Sequence, residues 1–207
     1  MRYNTDLSSL GPQEYKELLK RQNLLPGRRV LLQNIDQNFE HFENEGICNV
    51  AELKKRLSTT LKLAAFAQAT GVSKEYLTIL KREIGSLEQK PIPLADFPDV
   101  DETLISRLND QGIRNSKDHF ESRHHGVDEL SCLCDLVRIN GVGAVAATTF
   151  YEAGYRSVDD VASADAAAML ESVSKVNDSK HYYKAKLGVK DMQFCIDFAS
   201  LLIKYCK

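Results

Sequence analysis

Residues 136–150 read Leu-Val-Arg-Ile-Asn-Gly-Val-Gly-Ala-Val-Ala-Ala-Thr-Thr-Phe. Apolar Leu136 and Ile139 are placed to close one helix, and Ala147 and Phe150 give the next helix an inward face. Gly141-Val142-Gly143 must then make the turn. Glycine takes a positive φ at little cost, and it has no side chain to hold off another backbone or an anion. Val142 is apolar and is expected to point between the two helices. The amides of Gly143, Ala144 and Val145 fall in the first helical turn, where the helix itself offers no acceptor. With no Cβ in front of them, such amides form a socket the size of a phosphate. The alternative is a tight interhelical turn that holds no ligand.

A repeat around this stretch sets the architecture. Phe39-x-x-Phe42-x-x-x-Gly46-Ile47-x-Asn49 recurs as Ile105-x-x-Leu108-x-x-x-Gly112-Ile113-x-Asn115 and as Ala147-x-x-Phe150-x-x-x-Gly154-Tyr155-x-Ser157. Two apolar residues three apart end a helix, and Gly follows where helices close on a left-handed residue. Two residues after the next apolar side chain, Asn or Ser can cap a new helix. Asn49 with Glu52, and Ser157 with Asp160, have capping-box-like spacing. Thr70-Gly71-Val72-Ser73 and Leu187-Gly188-Val189-Lys190 are shorter relatives. No alternating segment bounded by turn residues reads as a strand. The expected fold is all-α, about a dozen short helices.

The bulk properties narrow the function. Hydrophobic residues make up 43 % and charged residues 27 % of 207, as in ordinary globular proteins. No apolar run nears the roughly 20 residues that cross a bilayer, and the start Met-Arg-Tyr-Asn-Thr-Asp does not read as a secretory signal. Five cysteines without framework spacing point to reduced thiols and a cytoplasmic setting. The net charge of −2 lacks the basic excess that often marks nucleic-acid binders, so such binding would rest on local geometry. Residues 1–11 read as a tail. A helix is expected from Pro12 to about Asn23, with Tyr15, Leu18 and Leu19 on one face. Its Lys16, Lys20 and Arg21, with Arg28 and Arg29 beyond, are either a solvated face or a phosphate-contacting arm.

The full pattern at 136–150 resembles the helix-hairpin-helix motif, whose family binds DNA backbone without sequence preference. Taken with Leu63–Leu77, Gly154–Val161, Val173–Asn177 and Phe194-x-x-Asp197-x-Ala199, the chain resembles a family of uncharacterised bacterial proteins with tandem helix-hairpin-helix units. Members are sometimes labelled flap-endonuclease-like because of the shared hairpin. The resemblance implies a fold and a class of partner, not a reaction. The repeat and the proline-rich break divide the chain into an N-terminal tail and basic helix (1–28), degenerate hairpin units (29–90 and 91–131), and a unit with the intact motif (132–207). The soft boundary is the proline-rich stretch from Lys90 to Pro98.

In the first two units the hairpin carries Asn34-Ile35-Asp36 and Asp99-Val100-Asp101-Glu102. A carboxylate at a helix start occupies the amides itself and repels phosphate. Only the third hairpin is then open to an anion. No Lys or Arg follows Gly143, so charge must come from Arg138, Arg156, or the set Lys175, Lys180, Lys184, Lys186 and Lys190. Residues 132–207 hold 9 Lys+Arg against 9 Asp+Glu, so no broad basic field surrounds the socket.

Catalytic chemistry is not in view. A metal nuclease needs converging carboxylates, whereas the acids here sit at helix starts and on exposed faces. Adjacent His124 and His125 read as a surface linker, Cys132-x-Cys134 lacks zinc or redox spacing, and no phosphate-loop or nucleophile-elbow motif occurs. No metal, cofactor or catalytic residue is assigned. The expected nucleic-acid contacts are Arg138, Gly141, Val142, Gly143, Ala144, Val145, Lys175 and Lys180, on DNA or another nucleic acid. The rival reading is a protein-interaction scaffold whose hairpins only join helices.

Overall fold

The computed structural model describes residues 2–22, 24–122, 128–184 and 187–206. Among them the fold is all-α: helices and connecting turns, with one isolated antiparallel bridge between Pro93 and Asn115. Two compact units are present: Asp6–Glu88, and Gln89–Lys207 joined by Met1–Thr5. Adjacent His124 and His125, and Lys186, lie outside the described residues.

The Asp6–Glu88 unit contains α1 (Pro12–Arg21), α2 (Ile35–Asn44), α3 (Val50–Arg56), α4 (Thr60–Thr70) and α5 (Lys74–Gly85), with a 3₁₀ stretch at Pro26–Leu32. Tyr15, Phe39, Phe42, Leu53, Leu77 and Leu80 are fully buried. Phe42 stands between Phe39 and Phe66, with ring centroids 5.3 and 5.5 Å away. On α1, Tyr15 and Leu19 are buried and Leu18 half-buried. Much of the expected basic arm is paired internally. Lys16 and Lys20 reach Asp36 at 2.9 and 2.7 Å, and Arg28 pairs with Glu83, which is buried.

The second unit contains α6 (Glu102–Asp110), α7 (Ser116–Glu121), α8 (Glu129–Leu136), α9 (Ala144–Glu152), α10 (Val158–Ala162), α11 (Ala166–Lys180) and α12 (Val189–Tyr205). The last helix forms its spine: Met192, Ile196, Phe198, Ala199, Leu201 and Leu202 are buried, and α10 and α11 pack along it.

Residues 1–11 are not the tail that sequence suggests. Tyr3 is fully buried in the second unit, where its hydroxyl is 2.7 Å from Ser116 Oγ and its ring meets Phe120 edge-on. In the first unit, Leu7 and Leu10 are buried and their carbonyls accept the amides of Ala51 and Val50 at 3.1 and 2.9 Å. Burial of apolar side chains together with satisfied backbone polar groups offsets the entropy of ordering this segment.

The repeated joints are the same object three times. Gly46, Gly112 and Gly154 take φ of 78, 82 and 99°. Each is followed by an apolar residue whose amide reaches back five positions: Ile47 to Phe42 at 3.1 Å, Ile113 to Leu108 at 2.9 Å, and Tyr155 to Phe150 at 2.9 Å. This closes the Schellman motif. Asn49, Asn115 and Ser157 then cap the next helix, accepting the amides of Glu52, Asp118 and Asp160 at 2.9, 3.0 and 3.1 Å. The three acids return the contact, accepting the amides of Cys48, Arg114 and Arg156 at 2.8, 3.1 and 2.9 Å. Six backbone donors that helix starts normally strand are thereby satisfied by six side chains.

Candidate nucleic-acid interface

A second kind of turn joins α4 to α5 and α8 to α9, and a matching one leads into α6. A left-handed residue, an apolar residue and an N-cap follow one another: Gly71-Val72-Ser73 (φ 71° at Gly71), Asp99-Val100-Asp101 (φ 57° at Asp99) and Gly141-Val142-Gly143 (φ 84° at Gly141). The backbone path is shared, but the caps differ. Ser73 Oγ accepts the Tyr76 amide at 3.2 Å, and Asp101 Oδ1 accepts the Thr103 amide at 2.8 Å. Gly143 has nothing to offer.

The stretch Asn34-Ile35-Asp36 follows a different path. Asn34 (φ 50°) is itself the cap position of α2, and its side chain makes no capping bond. Asp36 turns to Lys20 and Lys16, and these partners hold its carboxyl below the usual range. Its carboxylate is thus held by lysines, not by the helix amides.

Among the described α-helices, α9 alone has neither a side-chain N-cap nor an acid in its first turn. No hydrogen bond among the described residues takes the amides of Gly143, Ala144, Val145 or Ala146. Val142 is buried and its own amide goes to the Ile139 carbonyl at 3.0 Å, which pins the turn. Gly141 and Gly143 are exposed, Ala144 is half-buried and Val145 is 39 % exposed. A Cβ added at Gly143 would meet nothing within 4 Å, so a side chain at this cap position has room. Beside it, a Cβ at Gly141 would lie 3.9 Å from the Phe194 ring. Lys190, exposed and four residues before Phe194 on α12, shares that helix face.

The other expected contacts divide. Arg138 is 3 % exposed. Its Nε donates to the Tyr3 carbonyl at 2.9 Å, its guanidinium pairs with Asp135, and it lies 4.2 Å over the Phe120 ring. Asp135 in turn accepts the Val158 amide at 2.7 Å. This side chain ties the N-terminal segment, α7, α8 and α10 together beneath the hairpin and presents no surface to a ligand. Lys180 approaches Glu152 at 3.9 Å. Glu152 is the last residue of α9, about 12 Å along the axis from the bare amides at roughly 1.5 Å per residue. Lys175 is exposed and pairs with Glu171 at 2.6 Å. Both lysines have surface carboxylate partners, which hold them weakly, and Lys180 meets the C-terminal end of α9, away from its bare amides.

Sequence reasoning passed over the meeting of Phe194 with Gly141. The i, i+4 spacing of Lys190 and Phe194 was visible, but their approach to the hairpin depends on how α12 packs.

The described residues hold no group of three or more His, Cys, Asp or Glu able to bind a metal ion. All five cysteines are unpaired. Burial pushes Cys195 up to about 12 and raises Cys134 and Cys206, so these thiols stay protonated near neutral pH. No described helix is long and apolar enough to cross a membrane. No curated protein and no solved structure matches the chain. Residues 100–199, a stretch that opens just before α6 and contains the bare hairpin, match a family described as a domain of unknown function (DUF4332).

Proposed function

We propose that this protein is a tandem of helix-hairpin-helix units that grips nucleic-acid backbone without sequence preference and without catalysis. The contact is the run of amides from Gly143 to Val145. The observation that carries this reading is the uncapped, solvent-facing start of α9, the one α-helix among those described with neither cap nor first-turn acid. A phosphate there would take several N–H donors and the favourable end of the helix dipole. Lys190, exposed on the face of α12 that carries Phe194, is the cation assigned to this contact in place of the buried Arg138. The unpaired thiols suit a reducing, cytoplasmic setting.

Contacts made mostly by neutral amides release few counterions. Binding should therefore be weak, with a dissociation constant of about 10⁻⁴–10⁻⁶ M, and a shallow log–log salt slope of about −1 to −2. Fluorescence anisotropy with labelled duplex and single-stranded DNA in low salt tests this. Absence of binding at tens of micromolar protein overturns it. The second reading, a scaffold that docks another protein, is favoured by a different surface, the exposed side of α4.

A further inference from the structure

The helix α4 is apolar on two sides. Leu63, Phe66 and Ala67 point into the Asp6–Glu88 core. On the other side Leu61, Ala65 and Ala69 recur every four residues and share one face. All three are exposed, Leu61 to 84 %, the most exposed large apolar side chain described. A surface helix normally keeps its outer face polar. This face borders a cleft of about 680 Å³, whose wall includes Ala65, Ala69, Ile47 and the edge of Phe66.

The charges around that cleft are one-sided. Lys55, Arg56 and Lys62 line it, all exposed, and none has a carboxylate partner among the described residues. Arg56 lies 6.0 Å over the Phe66 ring. The one acid among the described lining residues, Glu52, accepts the Cys48 amide at 2.8 Å. An apolar strip of small residues flanked by unpaired cations complements a helix whose one face is apolar and whose edges are acidic. Small side chains at Ala65 and Ala69 allow a close helix approach, and Leu61 supplies a knob. The strip from Leu61 to Ala69 is about 12 Å long at roughly 1.5 Å per residue, enough for two turns of a ligand.

We infer that the α4 face docks an acidic amphipathic helix of a partner protein. The acidic helix α2 of a second copy does not serve, because it buries its apolar residues Ile35, Phe39 and Phe42 in its own core. A nucleic acid fits less well: Phe66 is 2 % exposed and cannot stack a base.

The test uses the full chain and a labelled synthetic helical peptide with Leu along one face and Glu on its flanks. A scrambled peptide of the same composition, and duplex DNA, serve as comparisons. The expected result is micromolar binding of the amphipathic peptide, with the scrambled one at least about tenfold weaker. Leu61→Glu and Lys55→Glu should each weaken binding roughly tenfold. Leu61 lies in the first turn of α4, where an acid favours the helix, so a folding defect is not expected, and circular dichroism checks it. Gly143→Asp should leave peptide binding unchanged, which keeps this inference separate from the hairpin. Equal binding of both peptides, no binding, or unchanged affinity in both variants overturns the proposal. So does a result in which the two variants weaken DNA binding and not peptide binding.

Discussion

The turns at Gly71–Ser73 and Gly141–Gly143 follow one backbone recipe to different ends. Each has a glycine in the left-handed region, a buried valine and an extended cap position. In the first, Ser73 closes the helix start and Glu75 follows in the first turn. In the second, both are missing, and Gly143 and Val145 are exposed. A helix start is therefore closed or open by the choice of one or two residues, while the turn itself is set by φ and by the buried valine. The two also rest on different foundations. Beneath the open turn lies a buried charge network through Arg138, and the α5 that follows the closed turn buries Tyr76, Leu77 and Leu80.

The largest expected effect tests that foundation. Arg138→Ala leaves Asp135 without its ion pair and the Tyr3 carbonyl without its donor. A loss of about 3–5 kcal/mol in stability by denaturant titration is expected. Were Arg138 instead a surface phosphate contact, the change would stay within about 0.5 kcal/mol.

Next, Gly71→Ala and Gly141→Ala should cost about the same, roughly 1–2 kcal/mol each, because both glycines hold a left-handed φ. The added methyl at 141 makes only ordinary contact with Phe194, so a clearly larger loss there would break the equivalence. Gly141→Asn should cost less, as Asn34 already holds φ 50° in this chain.

Gly143→Asp converts the open turn into the closed kind. The backbone there, φ −86° and ψ 179°, accepts any residue. Stability should rise by about 0.5–1 kcal/mol through the new cap and the helix dipole. DNA affinity should fall at least about tenfold, that is by about 1.4 kcal/mol. A variant that is more stable and binds equally well would mean that these amides are not the contact. Smallest of all, Ser73→Gly should lose only a few tenths of a kcal/mol. It should not create a DNA site, because Glu75 remains in the first turn.

Local chemistry was legible from residue order. The three Gly-apolar-x-Asn/Ser joints appear where the spacing put them, since a left-handed glycine and a short polar cap act within one turn of chain. The unmet amides ahead of α9 follow from the same reasoning, because a cap is a contact between near neighbours. Leu136 closes α8 as its place in the pattern implies, though Ile139 falls in the turn beyond.

What near neighbours could not decide was the fate of long side chains and of the first residues. Arg138 looked like a phosphate ligand, but its guanidinium lies against Tyr3, 135 positions away in sequence, and Phe120. Lys16 and Lys20 looked free until α2 brought Asp36 beside them. The segment holding Tyr3 read as a tail because its partners lie on α7 and beyond. A charge's availability depends on what the fold packs against it, and burial with a partner is a long-range property. Residue order alone determined how the helices are joined and which one starts bare, because turns and caps act between near neighbours. The packing of remote segments alone decided that Arg138 and Tyr3 are buried and that Lys16 and Lys20 meet Asp36.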